Sequence, residues 1–345
     1  MDSVDEHNPN TIAIQETHFN PPDTLYISNY TFNCTDSYYR SGSTPNIRLL
    51  FTMNVLVTGA SGLLGRAVSA EFNKHSWKVL GIALRRAKDD LVKLDLTDKE
   101  AVGNLIRDFK PHVIIHCAAE RSPDKVERDY KAARKLNVCA SRYLAQFAYE
   151  IKAVFVYIST DYVFNGEAPP YSEDAVPSPI NAYGVSKFEG ERNVAEVNPD
   201  CCILRIPILY GEEEYMEESA VSSLIKLLFE KEPIRVSNFE RRYPSHTSDI
   251  AAIIYQLVEK KLEDPTINSV FHWCGSELYT KYEMTKIIAT VFGRSSTHLI
   301  PDNHPSPGAA RPKDTRLNCQ RLESLGIHVH TRFTEGVQSF RKFFE

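Results

Sequence analysis

The stretch Val55-Leu56-Val57-Thr58-Gly59-Ala60-Ser61-Gly62-Leu63-Leu64-Gly65 decides how this chain is read. An apolar run stops at Gly59-x-x-Gly62-x-x-Gly65 and gives way to a helix-compatible segment from Leu63 onward, the pattern of a strand, a glycine turn and a helix start. The chemistry lies in backbone access. Unpaired amides and the positive end of the helix dipole face the turn, and side chains at the glycine positions would block a pyrophosphate. The same spacing also serves an ordinary tight turn, so the flanking segments carry the decision.

The next apolar run, Val79-Leu80-Gly81-Ile82-Ala83, predicts a second parallel strand, and a fold that binds NAD places an acid at its end for the adenosine ribose hydroxyls. Leu84-Arg85-Arg86 stands there instead. Two guanidiniums suit a ribose 2′-phosphate, which an acid would repel, so NADP is favoured over NAD; a solvated basic loop is the plain alternative. A carboxylate after the short strand Val92-Lys93-Leu94, Asp95, is placed either to accept from an adenine amine or simply to start a helix. Thr97-x-x-Glu100 predicts a capping box for a helix to Phe109.

Further strands are predicted at Val113-Ile114-Ile115, Val154-Phe155-Val156-Tyr157-Ile158 and Ile203-Leu204-Arg205-Ile206. A long helical region to about Tyr149 and a helix from Ala182 to Val197 lie between them. This alternation implies an α/β Rossmann fold, a doubly wound parallel sheet with ligands at the carboxyl ends of its strands. Past residue 211 the alternation loosens, with helical stretches near 219–231, 247–261 and 280–292. The expected organisation is a disordered N-terminal extension (1–52), an NADP-binding Rossmann domain (53–210) and a smaller C-terminal α/β lobe for substrate or partner (211–345).

Composition narrows the function classes. With 345 residues, 42% hydrophobic, 25% charged and a formal net charge of −5, the chain has no basic footprint for nucleic acid or anionic membrane. Seven widely scattered cysteines lack a C-x-x-C pair, and eleven histidines form no ligand spacing. They are expected to be reduced thiols and packed rings of a cytoplasmic protein without a metal, and His272 beside Trp273 is expected in a strand.

Tyr183-x-x-x-Lys187 puts a phenol and an ammonium one helical turn apart, but Tyr282-x-x-x-Lys286 repeats the spacing, so context must separate them. Only the first follows a strand ending in Ser159-Thr160-Asp161-Tyr162-Val163-Phe164. The glycine turn, Thr160, Tyr183 and Lys187 together resemble the extended short-chain dehydrogenase/reductase family over residues 53 to 345. That resemblance implies a proton passed by Tyr183 while hydride moves to or from nicotinamide. Lys187 would hold the ribose and lower the phenol pKa, and Thr160 would bond the reacting oxygen. A phenol is a weak base near neutrality, and a neighbouring cation favours its ionised form.

Two branches of the family compete. His116-Cys117-Ala118-Ala119, Asn181-Ala182-Tyr183-Gly184 and Arg311-Pro312 resemble the NADPH-dependent dTDP-4-dehydrorhamnose reductases. Cys117-Ala118-Ala119-Glu120-Arg121, Arg205 to Glu212, Glu217-Glu218-Ser219-Ala220-Val221, Thr280 to Met284 and Leu322-Glu323-x-Leu325-Gly326-Ile327 resemble more particularly the regulatory beta subunits of methionine adenosyltransferase. The reductase pattern has a threonine where Glu120-Arg121 stands, and that pair reshapes the substrate pocket. The closer resemblance implies an NADP-binding, non-catalytic partner of the catalytic subunit that makes S-adenosylmethionine. It implies cofactor contacts at Ser61, Gly62, Leu63, Leu64, Leu84, Arg85, Arg86, Asp95, Leu96, Cys117, Arg121, Tyr183 and Leu209, with Gly59 and Gly65 shaping the turn. In that family docking uses an extended C-terminal tail. Here Phe343-Phe344-Glu345 is either an aromatic anchor for the partner or a segment packed on its own core.

Overall fold

Val55, Leu56 and Val57 have no exposed surface, as expected of a strand covered on both faces. They lie in β1 (Asn54–Thr58) of a computed structural model that describes residues 11–13, 24–27, 30–33, 48–50, 52–88 and 90–345. The other strands of this sheet are β2 (Lys78–Ala83), β3 (Val92–Lys93), β4 (Val113–His116), β5 (Val154–Thr160), β6 (Cys202–Ile206) and β7 (Ser269–His272). Their spatial order is β7-β6-β5-β4-β1-β2-β3, every neighbouring pair parallel. The chain order reverses between β1 and β4, and there a crevice opens beyond the strand ends.

Helices cover both faces. α1 (Leu63–Lys74) buries Leu63, Leu64, Val68 and Phe72 and packs on α4 (Thr247–Glu263). α2 (Lys99–Phe109) and α3 (Ala182–Val197) carry side-chain caps from Asp98 and Asn181. The cap of α2 corrects the Thr97 expectation. The Thr97 hydroxyl donates to Asp95 Oδ1 at 2.8 Å, so Asp98 takes the amide of Ala101 instead. On one side of the sheet Leu56, Ile106, Ile114, Leu144, Phe155, Tyr157 and Ile203 form a common core, each contributing about 1.5–3 kcal/mol by burial.

The expected division at residue 210 does not divide the sheet. α4 and β7 lie beyond that point and return to complete it, because the exposed edge of β6 accepts a further parallel strand. The remaining C-terminal elements gather around a second core of Tyr210, Val221, Leu224, Val236, Ile288, Phe333 and Phe340. Phe344 stacks on Phe292 there, with ring centroids 4.3 Å apart, so the aromatic ending packs on its own core. α5 (Lys281–Val291) belongs to the same cluster.

The chain separates into two units, Met1–Met53 and Asn54–Glu345. Within the first, Thr11–Ala13 pairs antiparallel with Arg48–Leu50, and Thr24–Ile27 pairs with Tyr30–Asn33. The expectation of a disordered extension over residues 1–52 otherwise falls outside the described residues. Among the described residues no helix is long and apolar enough to cross a membrane.

Candidate functional site

Beyond the carboxyl ends of the strands lies a cavity of about 1080 Å³. Its floor is the glycine turn. Gly59 adopts φ +67°, and a Cβ there would come within 2.9 Å of the Ala118 backbone, while one at Gly65 would reach 2.2 Å from the Gly59 carbonyl oxygen. Both positions therefore demand glycine so that α1 can seat against β1 and β4. A Cβ on Gly62 would meet only the Gly59 oxygen, at 3.1 Å, which leaves its cavity side open. No side chain caps α1 at Gly62 and no acid stands in its first turn, so the amides and dipole of this helix start face the cavity uncompensated.

Ser61, Gly62, Leu63 and Leu64 line this floor, and Leu84, Arg85, Arg86, Asp95 and Leu96 line one end. Arg86 is not the free guanidinium the sequence implies. It donates to Glu218 Oε1 at 2.8 Å and to Glu214 Oε2 at 3.2 Å. Arg66 of α1 donates to the other Glu218 oxygen at 2.6 Å, and the Glu214 amide does so at 2.8 Å. Arg121 reaches over to the Glu218 carbonyl oxygen. Residues 212–219 thus form an acidic strap fastened across the basic end. Burial alone would raise the Glu218 carboxyl, but the bonds from Arg66, the Glu214 amide and Arg86 outweigh it and hold the pKa down at about 2. Arg85 stays exposed on the rim. Asp95 uses Oδ1 to accept from both the amide and the hydroxyl of Thr97, at 2.8 Å each, and so shapes its own turn while lining the cavity.

The opposite end gathers Cys117, Arg121, Thr160, Tyr183, Lys187 and Leu209. Thr160 closes β5, Tyr183 and Lys187 stand on α3, and Lys187 donates to the Ile158 carbonyl at 2.7 Å with its ammonium 4.0 Å above the Tyr157 ring. Burial lowers the Lys187 pKa to about 7. Burial also pushes the Tyr183 phenol well above its ordinary value, against an opposing hydrogen bond from Thr160. Desolvation raises the Cys117 thiol to about 12, which makes it a poor nucleophile. At this dry, desolvated end burial favours the neutral form of each group, keeping the Tyr183 and Cys117 protons and loosening that of Lys187, where the strap end is ionic.

The sequence overlooked several supports of this geometry. A π turn at Lys135–Ala140 interrupts the long helical region and turns Asn137 inward. There it accepts from the Glu120 amide and donates to the Glu120 carbonyl and to Ser186, so the loop after β4 is tied to α3. Irregular helical turns of this kind recur beside functional sites. Arg242 is buried against the Tyr162 phenol and the Pro312 carbonyl, 80 and 70 residues away in the chain. The second Tyr-x-x-x-Lys copy lies on α5 outside the cavity, its Lys286 ammonium over the Tyr282 ring. His272 is fully buried in β7 beside Arg205, a packing role. Among the described residues no three His, Cys, Asp or Glu side chains gather as a metal site.

Comparison with known proteins agrees with this geometry. Residues 53–344 match the RmlD substrate binding domain. The mouse protein named methionine adenosyltransferase 2 subunit beta is 49% identical over 286 residues, covering 82% of this chain and 86% of its own length. The dTDP-4-dehydrorhamnose reductase of Aggregatibacter actinomycetemcomitans is 30% identical over 263 residues, 75% of this chain and 85% of its own. The crystal structure of the Bacillus anthracis dTDP-4-dehydrorhamnose reductase in complex with NADP superposes with a TM-score of 0.74 at 28% identity, covering 85% of this chain and 99% of that one. With its seven parallel strands, its glycine turn and this identity, the chain belongs to the RmlD substrate-binding family and, within it, to the group of methionine adenosyltransferase 2 beta subunits.

Proposed function

We propose that this protein is an NADP(H)-binding, non-catalytic regulatory subunit of methionine adenosyltransferase. It associates with the catalytic subunit in the cytoplasm as a hetero-oligomer and modulates S-adenosylmethionine synthesis there. The observation that carries the reading is the 49% identity to a named beta subunit over 286 residues. The cavity fits the dinucleotide: the open face at Gly62 and the uncapped start of α1 suit a pyrophosphate. Ser61, Gly62, Leu63 and Leu64 hold it through the backbone. Arg85 and Arg86 take the 2′-phosphate, Leu84, Asp95 and Leu96 the adenine side. Cys117, Arg121, Tyr183, Lys187 and Leu209 hold the nicotinamide half. In this role the cofactor stabilises a surface rather than turning over. The test is co-elution of the full chain with a methionine adenosyltransferase catalytic subunit, with NADP added. Separate elution at micromolar concentrations overturns the reading.

The convergence of Thr160, Tyr183 and Lys187 on one end of the cavity favours a second reading, an NADPH-dependent reductase of a nucleotide sugar. Loss of NADPH absorbance with dTDP-4-dehydro-6-deoxy-L-mannose, abolished by Tyr183→Phe, supports it; absence of turnover by the wild type removes it.

A further inference from the structure

Away from the cavity, the fold brings together two thiols separated by 45 residues. Cys274 follows β7 by two residues and is half-buried; Cys319 sits at the start of the short helix Gln320–Ser324. The Cys274 amide donates to Cys319 Sγ at 3.2 Å, and the Cys274 thiol donates to the Gly275 carbonyl at 3.3 Å. Both also point at one acceptor, the Leu317 carbonyl oxygen, at 3.6 and 3.8 Å. With Cys319 Sγ against the Cys274 backbone amide and both sulfurs on one carbonyl, the two thiols are neighbours.

We propose that Cys274 and Cys319 are a peroxide-oxidised dithiol, with Cys274 the attacking sulfur and Cys319 the resolving one. The Cys274 thiolate attacks one oxygen of hydrogen peroxide. A sulfur–oxygen bond forms, the oxygen–oxygen bond breaks, and the departing hydroxide takes the former thiol proton as water. Cys319 then attacks the Cys274 sulfenic sulfur. The sulfur–sulfur bond forms, the sulfur–oxygen bond breaks, and the second hydroxide leaves as water with the Cys319 proton. In sum, two thiols and one peroxide become a disulfide and two waters, and a dithiol reductant reverses the step.

The surroundings assign the roles. Cys274 is the half-buried thiol and Cys319 the buried one, so Cys274 is the sulfur that peroxide reaches, and the neighbouring Cys319 thiol also lowers the Cys274 pKa. Burial pushes Cys117, Cys201 and Cys202 each up to about 12, which disfavours them as competing nucleophiles. Cys274 packs on the cluster of Val163, Phe164, Tyr171 and Leu317, and Thr315, two residues before Leu317, bonds Asp161 next to Thr160. The bridge therefore locks the wall behind the dry end of the cavity.

The full reduced chain, titrated with hydrogen peroxide and mapped by mass spectrometry without reductant, tests this. The expected first product is a loss of about 2 Da located in a peptide pair joining Cys274 to Cys319. In Cys319→Ser, Cys274 gains about 16 Da and is captured by dimedone as a sulfenic acid. The proposal is overturned if the exposed Cys139 oxidises first while Cys274 and Cys319 remain alkylatable. It is equally overturned if the wild-type bridge pairs either of them with another cysteine.

Discussion

The two ends of the cavity are built on opposite electrostatic plans. At one end Arg66, Arg86, Glu214 and Glu218 form an ionic cluster between elements far apart in the chain, with Arg86 about a third exposed and Glu218 almost wholly covered. At the other end Lys187 is buried, its ammonium donating to a carbonyl and lying over a ring, with the Glu191 charge acting on it. The difference teaches where each end keeps its free energy. The ionic end depends on both partners being present, since removal of one leaves a covered charge unpaired. The dry end depends on protonation, since burial works against the charged form.

The largest expected effect lies at the dry end. Lys187 has its folded pKa lowered to about 7, against about 10.4 when unfolded. Between those values the unfolded chain binds the extra proton, so stability rises with pH from about 7 to about 10 and is flat below 7. The rise is expected to reach up to about 5 kcal/mol, read by denaturant unfolding at successive pH values. Lys187→Met should abolish that limb; its persistence in the variant breaks the comparison.

Next comes Glu218→Ala, which leaves Arg66 and Arg86 facing each other and should cost about 2–3 kcal/mol. The Glu218 carboxyl is depressed from 4.5 to about 2. Its contribution is therefore present above pH 4.5 and lost as pH falls through 2, and the variant should show no such acid limb in thermal melts. Arg86→Ala should weaken NADPH binding by about 10–50-fold while NADH binding changes little, as loss of a charge-assisted bond predicts. Equal weakening of both cofactors, measured by fluorescence titration, would place Arg86 in the strap alone. Tyr183→Phe is the smallest, with NADPH affinity expected to shift less than about fivefold. A larger shift would mean that the phenol anchors the ligand.

Much of the fold was legible because it is written locally. Alternating apolar runs located the strands from β1 to β6, and Ala182–Val197 is the helix read from its own pattern. Many residues that line the cavity were legible for the same reason, since they sit near a strand end or a helix start, whereas Arg242 was not. Of β7 only His272 was placed in a strand from the sequence; the extent of Ser269–His272 was not, because it is four residues long and follows the loosened pattern past residue 211, and the edge of β6 identifies its partner. The strap was invisible for a different reason. Arg66 and Glu218 are 152 residues apart, and no local period reports a charge that is matched so far along the chain. Cys274 and Cys319 escaped in the same way, lacking any short motif spacing.

The strap also orders events in time. Arg86 and Glu218 are separated by 132 residues, so at roughly 5–20 residues per second roughly 7–26 seconds of synthesis pass between them. During that interval the nascent chain carries the glycine turn and both arginines with no carboxylate to fasten them. The basic rim is completed only after Glu218 is added, which makes a finished nucleotide pocket a late product of translation rather than an early one.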